Sequence, residues 1–162
     1  MDDQSVTSSA VVMGAGSEAQ NPEALLEQAL LAQWERRHRE AETLYQQALA
    51  MSPAFLSGRV SYAILLAELG RPGPAEAELA RALEIDPALV AAQLAEARRQ
   101  EPGNEANLSL CGLLELQCKN WALAQQWLDL ALHCNPDNAC VLTWKAQVEA
   151  VQGRLDDSES LL

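Results

Sequence analysis

Residues 70–87 of the chain read GRPGPAEAELARALEIDP. A turn-forming GRP sequence comes first, and a helical spacing follows, with Ala75 and Ala82 seven residues apart and Leu79 between them. Pro87 then favours the end of the helix. The stretch therefore predicts a turn followed by a helix whose buried face has small residues on either side of a large one.

The same pattern recurs with a fixed period. Pro53 lies 34 residues before Pro87, and Pro102 lies 34 residues before Pro136. Small residues at fixed spacing let two antiparallel helices approach closely, and a large residue between them fills the gap to the next pair. Aligned on Pro53, Pro87 and Pro136, the small residues are Ala29, Ala63 and Gly112, then Ala41, Ala75 and Ala124, then Ala48, Ala82 and Ala131, and the large residues are Tyr45, Leu79 and Leu128.

This arrangement resembles the tetratricopeptide repeat (TPR), a helix–turn–helix unit of about 34 residues. The resemblance implies an all-α fold, namely a TPR-like antiparallel helix-pair solenoid with about 3.5 repeats and one extra helix between repeats 2 and 3. Because an odd helix reverses the order of an antiparallel stack, we expect a kink or a divided groove there. The expected repeat domain, 21–162, has repeats at 22–55, 56–89 and 105–138, the extra helix at 88–101, and a partial repeat at 139–162 that turns at Gly153.

The N-terminal sequence differs from the rest. Residues 1–20 are rich in Ser, Gly and Ala and predict a disordered tail. Asn21 and Pro22 then favour a helix start, as N-cap and first helical residue. The tail lacks the segments of a signal peptide, and no apolar run approaches the ~20 residues that span a bilayer. We therefore expect a cytoplasmic protein with no membrane insertion, and the preference for Arg over Lys suggests a bacterial one.

The composition argues against several functional classes. A formal net charge of −12 should repel nucleic acid phosphates, so we expect no nucleic acid partner. No phosphate-binding loop, HExxH or GxSxG sequence occurs. We therefore expect a protein that is not an enzyme and has no catalytic residue, cofactor or metal. The four cysteines have no CxxC or zinc-ligand spacing and should be small buried residues in a reducing compartment: Cys111, Cys118, Cys134 and Cys140.

The resemblance also implies where a partner binds, because the first helices of TPR pairs line a concave groove. Some TPR co-chaperones hold an acidic C-terminus there with a Lys/Asn/Arg clamp. The matching positions are Leu26, Leu30, Ser61, Ala106 and Leu110, and none of them can bind a carboxylate with a charge. The groove therefore favours an amphipathic helix or an extended apolar peptide. The predicted partner-binding residues are Leu26, Leu30, Trp34, Val60, Ile64, Ala67, Leu113, Leu116, Thr143 and Gln147.

The resulting hypothesis is a protein–protein interaction module that binds a partner peptide or helix in an apolar concave groove, as scaffold, adaptor or chaperone. Two alternatives remain open. One is a substrate-recruiting TPR arm of a larger enzyme such as a glycosyltransferase, and the other is a self-assembling structural scaffold. The same apolar residues could instead pack against the tail, the extra helix or a second copy of the chain, which would make a homo-oligomer.

Overall fold

The computed structural model describes residues 21–160, apart from the side chains of residues 155 and 157–160. In this range the chain forms eight helices and no strand, which confirms the predicted all-α helical repeat solenoid. The number of repeats and the domain boundaries stay predictions. The helices are α1 (Pro22–Trp34), α2 (His38–Met51), α3 (Leu56–Glu68), α4 (Pro72–Ile85), α5 (Pro87–Gln100), α6 (Glu105–Gln117), α7 (Trp121–Cys134) and α8 (Ala139–Ser160).

The described part of the chain divides into two compact units, of which the first ends at Gly58 and the second begins at Arg59. In the first unit, α1 and α2 pack against each other through faces dominated by small residues. Tyr45 is the large residue of this interface, and its hydroxyl donates a hydrogen bond of 2.7 Å to Oε1 of Gln33. The buried residues of the pair are Leu25, Ala29, Ala32, Ala41, Tyr45 and Ala48.

In the second unit, α6 is the central helix, because α5, α7 and α8 all pack against it. Two of its polar residues, Asn107 and Ser109, are buried and find partners within the unit. Ser109 donates to the carbonyl of Ala106 at 2.9 Å, and the side-chain amide of Asn107 donates to the carbonyl of Ala97 at 3.2 Å. Elsewhere in the unit, Glu78 is 9% exposed and pairs with Arg59 at 2.7 Å.

All twelve aligned repeat positions are buried, as the sequence predicted. The eleven alanine, leucine and tyrosine side chains are each 0% exposed. Gly112 is also buried, and the structure explains why it is a glycine: a Cβ atom there would lie 2.7 Å from both Cγ and Cδ2 of Leu128. The period therefore identified the residues that bring the helices of each pair together.

Three interhelical turns share one backbone conformation. Arg36, Gly70 and Lys119 all have left-handed φ angles, of 63°, 67° and 63° respectively, and each lies 17 residues before a closing proline. After α6, for example, Lys119 N donates to the carbonyl of Leu116 and Asn120 N to that of Glu115, at 3.1 and 2.9 Å. The same pair of bonds closes the other two turns, which makes all three Schellman motifs.

The predicted turn at Gly153 is wrong. Helix α8 runs without interruption from Ala139 to Ser160, and Gly153 does not have a left-handed φ angle. A glycine inside a helix costs only about 1 kcal/mol relative to alanine, so it does not by itself end a helix. The final predicted repeat therefore has no second helix within the described residues.

The prediction for the cysteines is correct for two and wrong for two. Cys111 and Cys140 are buried, whereas Cys118 and Cys134 are exposed, and all four are free thiols. Cys118 follows the last residue of α6, and Cys134 is the last residue of α7, so both exposed cysteines lie at helix ends. Burial raises the pKa of the Cys111 thiol and raises that of Cys140 to about 12.

A helix does occur at the place predicted for the extra one. Helix α5 begins after Asp86, whose side chain accepts a hydrogen bond of 3.0 Å from the backbone N–H of Leu89. It buries Val90 and Leu94 on one face. The expected kink or divided groove stays a prediction, and the expected tail at residues 1–20 lies outside the described residues.

Candidate partner-binding surface

Helix α1 is held at both ends by hydrogen bonds that the sequence encodes. Asn21 is its N-cap and accepts a hydrogen bond of 2.7 Å from the backbone N–H of Glu23, as predicted. At the other end, the N–H groups of Arg36 and Arg37 donate to the carbonyls of Gln33 and Ala32. The helix therefore presents a defined face to solvent.

That face carries an apolar stripe, which we define as Leu26, Leu30 and Trp34. These residues are four apart, so they lie on one side of the helix, opposite the buried side. Leu26 is half-buried, Leu30 is 45% exposed and Trp34 is 80% exposed. Leu31, which the sequence analysis did not select, is beside the stripe and is 53% exposed. Large apolar side chains with this degree of exposure are typical of interaction sites.

Acidic side chains border one end of the α1 apolar stripe. Glu23 and Glu27 are exposed and lie on the same side of the helix by its 3.6-residue period. Near Trp34, the side chain of Arg37 pairs with Glu35 and Glu40. Hydrogen bonds to these carboxylates, first to Glu35, raise the pKa of Arg37. The Arg37 charge is therefore locally balanced, whereas Glu23 and Glu27 leave a negative margin.

Four of the other predicted site residues are buried. Val60 is 3% exposed and Ala67 0%, while Leu113 is 0% and Leu116 8%. In this structure they are closed to a partner. For the two on α6 the reason is local, because α5, α7 and α8 surround that helix, whereas the repeat pattern treats every first helix as open on one side.

The remaining three predicted residues are accessible to different degrees. Ile64 on α3 is half-buried, and Thr143 and Gln147 on α8 are exposed. Gln147 donates a hydrogen bond of 3.2 Å to Oε1 of Glu76, and Thr143 donates one of 2.7 Å to the carbonyl of Ala139. The partner-binding role of all ten residues stays a prediction.

Asn138 organises the start of α8 and was missed as a structural residue. Its side-chain oxygen accepts from the N–H groups of Cys140 and Val141, at 2.7 and 3.3 Å. Its side-chain amide donates to the carbonyl of Ala67 at 3.2 Å. An Asn before a helix is a recognisable cap signal, but the contact with Ala67 is not visible in the sequence.

Among the described side chains, no group of three or more His, Cys, Asp or Glu residues is placed to hold a metal ion. Burial is the main cause of the raised pKa values of three groups in the described part of the chain, namely Glu105, Cys111 and Cys140. In the same part of the chain, every helix is too short or too polar to span a membrane. The absence of catalysis, cofactor and metal stays a prediction.

The family comparison agrees with the geometry. Residues 35–93 match the sequence model of the family described as tetratricopeptide repeat. Over these residues the chain is similar to tetratricopeptide repeats. Arrays of this kind create extended binding surfaces for other proteins, so the TPR fold is an interaction scaffold. No curated protein sequence gives a significant match to this chain.

The solved structures that match the chain include several TPR domains. The TPR domain of Arabidopsis OM64 has 17% identity and a TM-score of 0.44, and the match covers 78% of this chain and 93% of that one. The first TPR domain of human RPAP3 has 13% identity and a TM-score of 0.45, with coverage of 85% and 96%. The second RPAP3 domain, solved in complex with the HSP70 peptide SGPTIEEVD, has 14% identity and a TM-score of 0.42, with coverage of 80% and 98%.

Proposed function

We propose that the chain is a non-enzymatic adaptor, scaffold or chaperone that binds a partner peptide or helix through the α1 apolar stripe. The observation that carries this proposal is the exposure of Trp34, at 80%, next to Leu30, at 45%. Both lie on a helix whose ends are fixed by hydrogen bonds. Tryptophan contributes strongly to protein interfaces, because it buries a large apolar area at a small entropic cost.

The partner should have an apolar stripe of its own with basic residues at one side. Glu23 and Glu27 border the stripe, and the whole chain has a formal charge of −12. A complementary positive margin speeds association and fixes orientation more than it adds affinity. An amphipathic helix or an extended apolar peptide with flanking Lys or Arg has this chemistry.

The experiment compares interaction partners of three versions of the full chain, namely wild type, Leu30→Glu and Gln47→Glu. Gln47 is exposed on α2, so its substitution adds the same charge away from the stripe. Proteins retained by wild type and by Gln47→Glu, but lost with Leu30→Glu, are taken as partners. They are then titrated as purified components by calorimetry.

The expected result is a loss of affinity of about tenfold or more for Leu30→Glu, because a charge would be buried unpaired in the interface. Circular dichroism of the three proteins should show the same helix content. A set of partners that is identical for wild type and Leu30→Glu would place recognition away from α1.

Other properties expected from the sequence remain parts of this proposal. The negative charge supports a partner that is not nucleic acid. A cytoplasmic location, a bacterial source and a reducing compartment rest on the sequence alone. A second copy of the chain is a further candidate partner, which sedimentation over a concentration series would reveal as a mass that rises with concentration.

A further inference from the structure

The exposed side of α1 changes from acidic to apolar along its length. Its first two turns expose Glu23 and Glu27, and its last two turns expose Leu30, Leu31 and Trp34. By the 3.6-residue period, these five side chains lie within about 100° of one another around the helix. The opposite side of the helix is buried against α2. The α1 apolar stripe therefore has acidic residues at its first end.

Basic residues border the other end of the stripe. From the end of α1 into the first turn of α2, residues 35–40 contain three arginines and two glutamates. Arg37 pairs with both of these glutamates, and the other two arginines, Arg36 and Arg39, are exposed. This segment therefore has an excess of positive charge. The stripe lies between an acidic end and a basic end.

A surface with one acidic and one basic end is complementary to a reversed copy of itself. In a two-fold symmetric pair, every contact between two different residues occurs twice. If two copies of α1 run antiparallel and cross at Leu30, then Leu26 of one copy lies beside Trp34 of the other, because each is four residues, or about 6 Å, from the crossing point. Glu23, about 10 Å before that point, lies beside Arg36, about 9 Å beyond it. The apolar residues and the opposite charges therefore match in a single register.

We propose that the α1 apolar stripe pairs with the same stripe of a second copy of the chain, in a two-fold symmetric dimer with antiparallel α1 helices. Each Trp34 then packs on Leu26 and Leu30 of the other copy, and opposite charges meet at both ends. The second copy has the chemistry required of the partner described above, because its own stripe is bordered by basic residues. The inference rests on that proposed site and adds its regulation, since another partner must displace the second copy to bind.

The size of the surface makes this dimer a weak one. Helix α1 has 13 residues and is about 20 Å long. One face of such a helix is at the small end of protein interfaces, where transient complexes are common. The dimer should therefore dissociate in the micromolar range. A pair of this strength shields the stripe from water and can still be displaced by a partner that binds more tightly.

Sedimentation equilibrium of the purified full chain tests the pairing without any other protein, over a range of about 5 to 500 µM. Wild type should change from monomer to dimer within this range. Trp34→Ala should weaken the dimer by about tenfold or more, because interface affinity depends strongly on buried tryptophans. Leu142→Ala is the matched control. It also removes a large exposed apolar side chain, but from α8, and it should leave the Kd of the dimer unchanged.

Two charge reversals test the register. Glu23→Arg and Arg36→Glu each place like charges opposite one another at both ends of the dimer, so each variant alone should dimerise about fivefold more weakly, or less still, at low ionic strength. In an equimolar mixture of the two variants, the mixed dimer has opposite charges at both ends and should form with nearly the wild-type Kd. If circular dichroism shows that Glu23→Arg has lost helix content, Glu27→Arg replaces it with the same expected effect.

Three results would overturn the proposal: a wild type that stays monomeric, a dimer that Trp34→Ala does not weaken, or a mixture of the charge variants that does not regain affinity. Acrylamide quenching adds a further one. A monomeric wild type whose fluorescence is quenched no further than that of Trp34→Phe would show that another segment of the same chain covers Trp34, which contradicts pairing of two copies. All of these results leave the proposed function intact, because it depends on the proteins that Leu30→Glu fails to retain.

Discussion

Gly112 on α6 lies so close to Leu128 on α7 that a Cβ atom on the glycine would be 2.7 Å from two carbon atoms of the leucine side chain. The carbonyl oxygen of Ala124 is 3.4 Å from the same point. This separation is too short for any side chain, so the backbones of the two helices approach as closely as glycine allows. The close approach of α6 and α7 therefore depends on a residue without a Cβ atom at position 112.

Gly112→Ala should destabilise the protein by about 1–3 kcal/mol, because the added methyl group must displace Leu128 from a packed interface. The matched control is Gly153→Ala, also a glycine within a helix but with nothing within 4 Å of the added atom. That change should stabilise the protein by about 0.5–1 kcal/mol. Urea denaturation followed by circular dichroism measures both. A neutral Gly112→Ala variant would contradict the contact.

The left-handed turn residues give a second prediction. Lys119 has a φ angle of 63° although it is not a glycine, and such a conformation costs about 1–2 kcal/mol for a residue with a side chain. Lys119→Gly should therefore stabilise the protein, by less than this amount because glycine is also more flexible in the unfolded chain. Gly70→Ala, at a φ angle of 67°, should destabilise it by about 1 kcal/mol. In thermal denaturation, Lys119→Gly should therefore raise the Tm and Gly70→Ala should lower it. These opposite changes would confirm the shared turn conformation.

A third prediction concerns the cap of α8. Asn138→Ala removes an acceptor for two backbone N–H groups and a donor to the carbonyl of Ala67. It should cost about 2 kcal/mol. It should also speed amide hydrogen exchange at Val141 in the first turn of α8. Asn135→Ala is the control, since Asn135 is exposed and its side chain accepts a hydrogen bond of 3.2 Å from only one backbone N–H group, that of Asp137. Equal destabilisation by the two changes would show that the hydrogen bonds of Asn138 do not stabilise α8 more than an exposed asparagine does.

The cysteines should fall into two reactive classes. At pH 8, Cys118 and Cys134 should react quickly with a thiol reagent, because they are exposed. Cys111 and Cys140 should react only as the protein opens, since both are buried and burial raises their pKa values. The rate of colour development with a disulfide reagent measures both classes. A Cys118→Ser, Cys134→Ser double variant that kept a fast phase would contradict this division.

Cys140 also predicts a pH dependence of stability. Its thiol has a pKa of about 12 in the folded protein, mainly because of burial, against about 8.5 in an unfolded chain. Between these values the folded state holds a proton that the unfolded state has lost, so this contribution to stability falls as the pH rises from about 8.5 to about 12. Between pH 7.5 and pH 10, the free energy of unfolding should fall more for wild type than for Cys140→Ala. Urea denaturation of both proteins at the two pH values measures this difference. An equal fall in the free energy of unfolding for both proteins would show that groups other than Cys140 cause the loss of stability at alkaline pH.

The sequence predicted the interfaces within helix pairs because those depend on residue size at a fixed period. Ala29, Gly112 and Leu128 are buried for this reason. The prediction from sequence failed at Gly153, because a glycine residue is compatible both with a turn and with the interior of a helix. The decision depends on backbone conformation, which the period alone does not determine.

The candidate site was harder to predict than the fold. Leu30 and Trp34 are exposed, as a groove residue must be. Leu113 occupies an equivalent repeat position but is closed off by helices distant in sequence. Exposure is a property of the neighbours of a helix, and those neighbours are not encoded in the helix itself.

The hydrogen bonds that hold α8 also bear on how the second unit folds. Asn138 bonds to Ala67 across 71 positions, and Trp144 bonds to Glu76 across 68. Repeat proteins whose units touch only their neighbours can begin folding at any unit and extend from it. In the second unit, these hydrogen bonds join residues that are far apart in the chain. The chain between them must therefore close a long loop, which costs entropy before the contacts can stabilise it. During synthesis the second unit therefore completes its structure only after α8 has left the ribosome, and it should unfold as one cooperative block.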